Sequence, residues 1–154
     1  MAEIWSIPTW CFFHTLAEKI NENFLIQNKV RVIQIIKSIC GNLPCPYCRE
    51  HASKHCRSLT PDVIKNKQDL INYLFQFHNT VNSRLHKPLF KREQLTIYKR
   101  GRLDVIWTNF MYGFMKKYSR TIYAGNLSQD AARRKSGRFI SSWVQQHWKA
   151  LQGF

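Results

Sequence analysis

The sequence contains few acidic residues: nine Asp and Glu stand against 24 Lys and Arg, which gives a formal net charge of +15. No apolar run reaches the length of a bilayer-spanning helix, so an ordinary transmembrane protein is not expected. Residues 1–8 lack a basic stretch followed by an apolar one, so we expect no secretory signal and a cytoplasmic protein. Hydrophobic residues make up 44% of the chain and aromatic residues 14%, which indicates a folded core.

The positive charge is densest at the C-terminal end. Residues 101–154 carry nine Lys and Arg, two Asp and Glu and ten aromatic residues. We predict one domain over residues 1–100 and a basic, aromatic-rich helical extension over residues 101–154. Such a charge favours polyanions, so nucleic acid is a candidate partner of the extension. A solvated basic face that only keeps the protein soluble is an equally ordinary explanation.

Hydrophobic periodicity predicts an all-α fold. The β-branched residues of 29–40 also suit a strand, but no other segment offers a strand partner, so we predict a helix there. Thr9 is predicted to cap the first helix, and Gly41 to help end the second. The predicted helices cover residues 10–24, 29–40, 45–58, 68–85, 93–99, 103–117 and 138–151, with a break at 124–126.

The cysteine usage argues against a static disulfide framework. The chain has five cysteines, an odd number, and no expected secretory signal. Catalytic, metal-binding and plain buried thiols therefore have to be separated by position. The five are Cys11, Cys40, Cys45, Cys48 and Cys56.

The most informative motif is Cys45-Pro46-Tyr47-Cys48. Pro46 suits the first position of a helix, where unpaired N–H groups and the helix dipole favour a thiolate over a thiol. Arg49, His51 and Lys54 add positive potential. At least one of the two thiols should therefore have a lowered pKa and exchange readily with disulfides.

Two other kinds of site use similar cysteines. Cys-Pro-Tyr-Cys is also the active-site tetrad of glutaredoxin-like proteins, but no Gly-Gly turn and no proline suited to that fold follow it here. Zinc is a second alternative, since Cys45, Cys48, His51, His55 and Cys56 offer enough ligands in a short span. All five lie on one predicted helix and cannot converge on one ion, so we predict no metal site.

Three blocks of sequence occur in order along the chain. Residues 10–17 read Trp-Cys-Phe-Phe-His-Thr-Leu-Ala, residues 43–48 read Leu-Pro-Cys-Pro-Tyr-Cys, and residues 78–88 read His-Asn-Thr-Val-Asn-Ser-Arg-Leu-His-Lys-Pro. Together they resemble the Erv/ALR family of FAD-dependent sulfhydryl oxidases over residues 9–98. Each block alone is a weak signal, but three in the family's order are specific.

The resemblance implies a four-helix bundle with a short fifth helix that holds FAD, followed here by the helical extension. Trp10 and His14 are spaced one helical turn apart, and His78 and Asn82 repeat that spacing, so each pair can face one side of a planar ring. Lys87 would approach the pyrophosphate as a point charge. The implied cofactor-binding residues are Trp10, His14, Cys48, His78, Asn79, Asn82, Lys87 and Tyr98.

The resemblance also implies that Cys45 and Cys48 are catalytic. Cys45 would be the more exposed and would take the thiolate of a substrate protein, while Cys48 would lie nearest the flavin. Substrate thiols would be joined as disulfides, and the electrons would pass through FAD to O2 with formation of hydrogen peroxide.

The chain departs from the family in three places. Phe75 and Phe90 stand where many members have a structural disulfide, Ile7 stands near the place of an arginine, and no shuttle pair of cysteines is evident. These departures and the basic extension resemble members from large cytoplasmic DNA viruses, iridovirus-like ones included. Such a version would act in the host cytoplasm or the virion.

The resemblance further implies a homodimer, because the family typically dimerises through its first two helices. Cys11, Cys40 and Cys56 are interpreted as single thiols. Cys56 lies eight residues beyond Cys48 and is interpreted as packing rather than as an electron relay.

A basic helical nucleic-acid-binding protein with structural or zinc-binding cysteines is the alternative function. It predicts tight, salt-sensitive binding to DNA or RNA and a colourless protein. It leaves the three ordered blocks unexplained.

Overall fold

The computed structural model describes residues 2–118 and 127–154, and within these ranges the chain is helical with no strand. This confirms the all-α fold class. None of the described helices is long and apolar enough to cross a membrane. The α-helices are α1 (Ala2–Lys19), α2 (Glu22–Cys40), α3 (Pro46–His55), α4 (Lys67–Arg84), α5 (Thr96–Lys99), α6 (Leu103–Met115), α7 (Leu127–Gln146) and α8 (Trp148–Leu151), with short 3-10 helices at Cys56–Ser58, Pro61–Val63 and Arg92–Leu95.

The first predicted helix, residues 10–24, is wrong at both ends. The structure has two helices there, and Asn21 separates them because its side chain accepts a hydrogen bond from the N–H of Phe24 at 2.9 Å and caps α2. Thr9 is not a cap either. It lies inside α1, where its hydroxyl donates to the carbonyl of Trp5 at 2.5 Å. The apolar spacing continues across Asn21, so periodicity alone does not reveal the break.

The remaining helices follow the predictions more closely. The segment 29–40 is helical, and its β-branched side chains are mostly buried on one face of α2. The last long helix begins at Leu127 rather than at residue 138. The prediction missed its first half because that half is polar and shows no apolar period. Its buried residues there include Asp130 and Arg133. The predicted break at 124–126 lies outside the described residues.

Helix α1 lies at the centre of the molecule and packs against α4, α5 and α6. Phe12 of α1 stacks on Phe110 of α6 with ring centroids 4.8 Å apart. Gly113 allows the two helices to approach closely, because a Cβ there would overlap the carbonyl of Ile4. One face of α1 therefore packs against α6 of the extension, while other residues of the same helix are free to line the site.

Within the extension, Arg133 of a buried ion pair ties α7 to the end of α6. Arg133 donates to the carboxylate of Asp130 at 2.5 Å, to the carbonyl of Phe114 at 2.8 Å and to that of Lys116 at 2.7 Å. The last two bonds satisfy carbonyls at the C-terminal end of α6, which have no partner within the helix. Farther on, the N–H of Asn21 donates to the carbonyl of Ala150 at 2.8 Å, so α8 closes over the α1–α2 turn. The assignment of residues 1–100 and 101–154 as two units stays a prediction.

Candidate active site

The cysteine motif forms the start of α3. Cys45 is the N-cap residue, Pro46 occupies the first turn, and Cys45 and Cys48 are joined as a disulfide with their Cα atoms 5.2 Å apart. The N–H of Cys48 lies 3.2 Å from the sulfur of Cys45. When the disulfide opens, this N–H and the helix dipole stabilise a thiolate on Cys45. Arg49 donates to the carbonyl of Leu43 at 2.9 Å, which ties α3 to the preceding turn.

The other candidate zinc ligands of this segment face different neighbours. His51 lies edge-on to Tyr47, with centroids 4.3 Å apart, and His55 stacks on Phe77 at 4.3 Å. Cys56 is buried against the last turn of α2. The described residues contain no group of three or more His, Cys, Asp or Glu side chains placed to hold a metal ion.

Aromatic rings from three helices and one loop meet beside α1. Trp10 stacks on His78 with centroids 4.1 Å apart and planes 5° apart, and His14 Nε2 lies 2.9 Å from His78 Nδ1. The rings of Tyr98 and Phe90 stack against His14 at 4.9 and 5.5 Å. Trp10, His14, His78 and Tyr98, which the sequence assigned to the cofactor, are therefore brought together.

Both histidines of this stack are neutral at pH 7. Burial, with a smaller effect of His78, lowers the pKa of His14 to about 3. Burial and the charge of Lys87 lower the pKa of His78 to about 4. Two neutral imidazoles can share one hydrogen bond, with one nitrogen donating and the other accepting.

Tyr98 and Cys11 also stay protonated at pH 7. Burial and the neighbouring Cys11 raise the pKa of Tyr98 to about 12. Burial raises the pKa of Cys11, and its hydrogen bond with Tyr98 opposes that rise only in part. The ring stack thus offers neutral polar atoms and flat faces, and no charge that changes near pH 7.

A cavity lies between the cysteine motif and this stack. Cys48 lines it together with Trp10 and Phe77, whereas Cys45 is not among the lining residues. Two more lining residues have buried donors with no hydrogen-bond partner among the described residues, namely Trp5 Nε1 and Arg84 Nε. Buried donors are nearly always paired in native proteins, so two orphans on one cavity indicate a ligand with acceptor atoms.

The residues around the cavity fit a flavin chemically. A flavin ring is flat and apolar on its faces and carries acceptors at its edge, which matches stacked rings and the free donors of Trp5 and Arg84. The cavity encloses about 120 Å³, which is less than the roughly 300–1,000 Å³ of most ligand sites. A flavin therefore needs a wider cavity than this structure shows.

The asparagines and the lysine of the third block have distinct positions. The side chain of Asn79 donates to the carbonyl of Phe90 at 2.9 Å and accepts from its N–H at 2.7 Å, which places the Phe90 ring in the stack. Asn82 is half-buried, and its carbonyl accepts from the N–H of Lys87 at 2.8 Å. Lys87 is exposed and lines the cavity. Direct contacts of Asn79, Asn82 and Lys87 with a cofactor stay predictions.

Sequence reasoning missed Trp5, Arg84 and Phe90 as parts of the site. Arg84 lies inside the third block, so the block itself was a signal. Phe90 was interpreted only as a replacement for a cysteine. Trp5 stands five residues before Trp10, on a stretch of α1 that lay outside the predicted helix.

Comparison with known proteins gives a consistent result. The model of the Erv1 / Alr family matches residues 7–101. The FAD-linked sulfhydryl oxidase of African swine fever virus is 31% identical over 103 residues, which are 66% of this chain and 86% of that protein. The FAD-linked sulfhydryl oxidase ERV1 of Arabidopsis thaliana is 32% identical over 87 residues, 56% of this chain and 45% of that protein.

A viral protein with a long match is a third relative. A protein of Invertebrate iridescent virus 3 is 29% identical over 102 residues, 66% of this chain and 68% of its own. No solved structure matches the chain. The family model ends two residues before α6 begins, so α6, α7 and α8 lie beyond the matched region.

Proposed function

Because this chain belongs to the Erv1/Alr family, we propose that it is a FAD-linked thiol oxidase that makes disulfide bonds in protein substrates. The observation that carries the proposal is the Cys45–Cys48 disulfide at the start of α3, with Cys48 on a cavity that Trp10 of the ring stack also lines. A disulfide in that position can take electrons from a thiol outside and release them toward a group inside.

The cysteines act in sequence. A substrate thiolate attacks Cys45, and Cys48 leaves as a thiolate that takes up a proton or stays beside the cavity. A second substrate thiolate then attacks the substrate sulfur of the mixed disulfide, and Cys45 leaves as a thiolate that the N–H of Cys48 stabilises. Two substrate thiols have become one disulfide, and the motif holds the two electrons.

The residues of the cavity and of the ring stack beside it bind and orient the cofactor. Trp10, His14, His78 and Tyr98 supply flat faces, the Trp5 and Arg84 donors meet acceptor atoms, and Asn79 holds the Phe90 loop against the stack. Asn82 and Lys87 are assigned to the cofactor as well, Lys87 through its charge. When bound, FAD accepts two electrons from the reduced cysteines and passes them to O2, which yields hydrogen peroxide.

The test is an absorption spectrum of the purified protein in the absence of oxygen, before and after addition of dithiothreitol. We expect a flavin spectrum that bleaches with the thiol and recovers in air. The Cys48→Ser variant should bind the flavin but bleach far more slowly, whereas Cys11→Ser should behave like the wild type. A protein that stays colourless after incubation with FAD would overturn the proposal.

We also propose that the protein is a homodimer. Helix α6 of the same chain packs on α1, so the contact between copies rests on α2, where Ile26 and Val30 are 38% and 54% exposed one turn apart. Val30→Glu should convert the dimer to a monomer in analytical ultracentrifugation. Val105→Glu, an exposed valine on α6, is the matched control. A wild-type protein that sediments as a monomer contradicts this part of the proposal.

The extension is proposed to bind polyanions, and nucleic acid in particular. Residues 101–154 have a net charge of +7, and Lys135, Arg138 and Lys149 are exposed. Binding should weaken steeply as salt rises, because phosphate contacts release counterions. Binding that does not depend on salt would contradict it. The viral relatives fit an oxidase that works in the host cytoplasm or in the virion.

A further inference from the structure

Two cysteines outside the catalytic motif lie side by side in the core. Cys40, the last residue of α2, and Cys56, in the 3-10 helix after α3, have their sulfur atoms 3.5 Å apart. Both are buried, with 1% and 2% of their surface exposed. Both are free thiols in the structure, as the sequence interpretation has them, but that interpretation did not place them in contact. Cys40 also lines the cavity that Cys48 lines.

The two thiols of this pair are chemically unequal. A hydrogen bond with Cys56 and burial raise the pKa of Cys40 well above its ordinary value. The hydrogen bond with Cys40 and the charge of Lys37 lower the pKa of Cys56, against the effect of burial. Cys56 therefore ionises before Cys40 and, as a thiolate in contact with Cys40, can take the proton of Cys40 and activate it for thiol–disulfide exchange.

We propose that Cys40 and Cys56 are a second disulfide-forming pair, oxidised by exchange with the Cys45–Cys48 disulfide, and that their bond fixes the catalytic helix to the end of α2. The geometry of the pair is independent of the protein's activity. The identity of the oxidant rests on the proposed function, which returns Cys45 and Cys48 to the disulfide after each exchange.

The exchange balances in two steps. The Cys56 thiolate takes the proton of Cys40, and the Cys40 thiolate attacks Cys48, so that the Cys45–Cys48 bond breaks and Cys45 leaves as a thiolate. Cys56 then gives its proton to Cys45, and the Cys56 thiolate attacks the Cys40 sulfur, so that the Cys40–Cys48 bond breaks and Cys48 leaves as a thiolate. Two electrons and one proton have moved from one cysteine pair to the other.

The new bond would enclose the active site in a short loop. Fifteen residues separate Cys40 from Cys56, and they include both Cys45 and Cys48. Closing such a loop restricts the unfolded chain and holds the catalytic turn in place. Elsewhere, where many members of the family have a structural disulfide, the rings of Phe75 and Phe90 lie 6.3 Å apart. The brace at Cys40 and Cys56 would restrain a different part of the bundle.

The test counts free thiols and locates the bond. Air-oxidised protein is denatured in the presence of N-ethylmaleimide, its intact mass is measured by mass spectrometry, and it is then digested with trypsin. Of five cysteines, we expect one alkylated thiol, Cys11, with the peptide of residues 38–49 linked to that of residues 55–57. Fragmentation should assign the link to Cys40 and Cys56. Three alkylated thiols, with residues 55–57 released as an alkylated peptide, would overturn the proposal. Cys11→Ser is the control and should show no alkylated thiol.

A second variant separates the pair from the enzyme. In Cys45→Ser/Cys48→Ser protein kept in air, Cys11, Cys40 and Cys56 should all be alkylated. Addition of diamide should close the bond and raise the melting temperature by about 5–10 °C. If diamide does not form a Cys40–Cys56 bond in the double variant, the two cysteines are not a disulfide-forming pair, whether or not the wild type is an oxidase. If the Cys40–Cys56 bond forms in the double variant in air without diamide, the Cys45–Cys48 disulfide is not its oxidant. The same follows if this bond forms in the wild type only after diamide is added.

Discussion

Residues 2–101 and residues 103–154 place buried polar groups in opposite situations. In the first region, the Trp5 and Arg84 donors line a cavity without partners, and two histidines are held neutral by burial. In the second region, the fully buried Arg133 bonds to Asp130 and to two backbone carbonyls. One region leaves donors unsatisfied beside a disulfide, while the other satisfies the charge that it buries.

This difference separates a reactive region from a supporting one. An unpaired buried donor costs about 1–3 kcal/mol of folding free energy. Two such donors on one cavity therefore indicate that a ligand pairs with them. Helix α1 belongs to both regions, since Trp10 and His14 face the ring stack while Phe12 packs on α6. Helix α6 of the extension therefore packs on the same helix that carries Trp10 and His14.

The largest effect should come from the catalytic cysteines. Cys45→Ser and Cys48→Ser should each lower the rate of thiol oxidation by more than about 1,000-fold, because a serine cannot take part in disulfide exchange. Oxygen consumption with dithiothreitol as substrate measures this rate. Cys11→Ser is the control, since Cys11 is a protonated thiol in the ring stack. A variant that keeps a tenth of the wild-type rate would place the reactive thiols elsewhere and contradict the assignment of the first region as the reactive one.

The next effect concerns the buried charge of the extension. Arg133→Met should lower the free energy of unfolding by about 3–5 kcal/mol, because the buried Asp130 loses the charge that offsets its own and the carbonyls of Phe114 and Lys116 lose a donor. Urea unfolding followed by far-UV circular dichroism measures it, and the exposed neighbour Lys135→Met should change it by less than about 0.5 kcal/mol. The folded variant should keep its flavin. Loss of flavin without unfolding would show that the extension shapes the cavity directly.

Local sequence patterns predicted most of the fold. The apolar period of α4 gave both bounds of that helix to within one residue, and the Gly41–Pro44 stop gave the end of α2. They failed at Asn21, whose cap interrupts an unbroken apolar period, and at the start of α7. There the buried groups are Asp130 and Arg133, which a hydrophobic pattern counts as surface residues.

The site was predicted where its residues repeat at helical spacing or belong to a motif. Trp10 with His14 and Cys45 with Cys48 are such pairs, and the structure places one member of each, Trp10 and Cys48, on the same cavity. The Cys40–Cys56 contact was out of reach, because it depends on how the end of α2 meets the turn after α3. No spacing rule connects two cysteines on separate elements.

A smaller effect should distinguish the unpaired donor of Arg84 from an ordinary surface arginine. Arg84→Met should weaken FAD binding about tenfold, or ~1.4 kcal/mol, because a buried donor facing the cofactor is lost. The same change should leave the cofactor-free protein equally stable or more stable, since it removes an orphaned polar atom. Fluorescence titration of apoprotein with FAD measures the first effect and urea unfolding the second.

Arg57→Met, at an exposed position outside the cavity, is the control for both measurements. If Arg84→Met destabilises the cofactor-free protein as much as Arg133→Met does, Arg84 is a structural group. The contrast between the two regions then fails at this residue.

The smallest effect is a pH dependence that belongs to the first region alone. The folded-state pKa values of His14 and His78, about 3 and about 4, lie below the value of about 6.5 for an unfolded chain. The unfolded state therefore binds protons first, so stability is complete above about pH 6.5 and falls as the pH drops toward 4. Each histidine should remove about 1 kcal/mol at pH 6.

Urea midpoints measured between pH 7.5 and 5 test this dependence, and His78→Asn should flatten the curve because it removes one of the two titrating rings. His86→Asn is the matched control, since His86 is exposed and has a φ of 54°, a conformation that asparagine tolerates. Arg133→Met should lower the whole curve without changing its slope, because the lost ion pair does not involve a histidine. If Arg133→Met flattens the curve as His78→Asn does, the histidines feel the extension directly, and the two regions are one electrostatic unit.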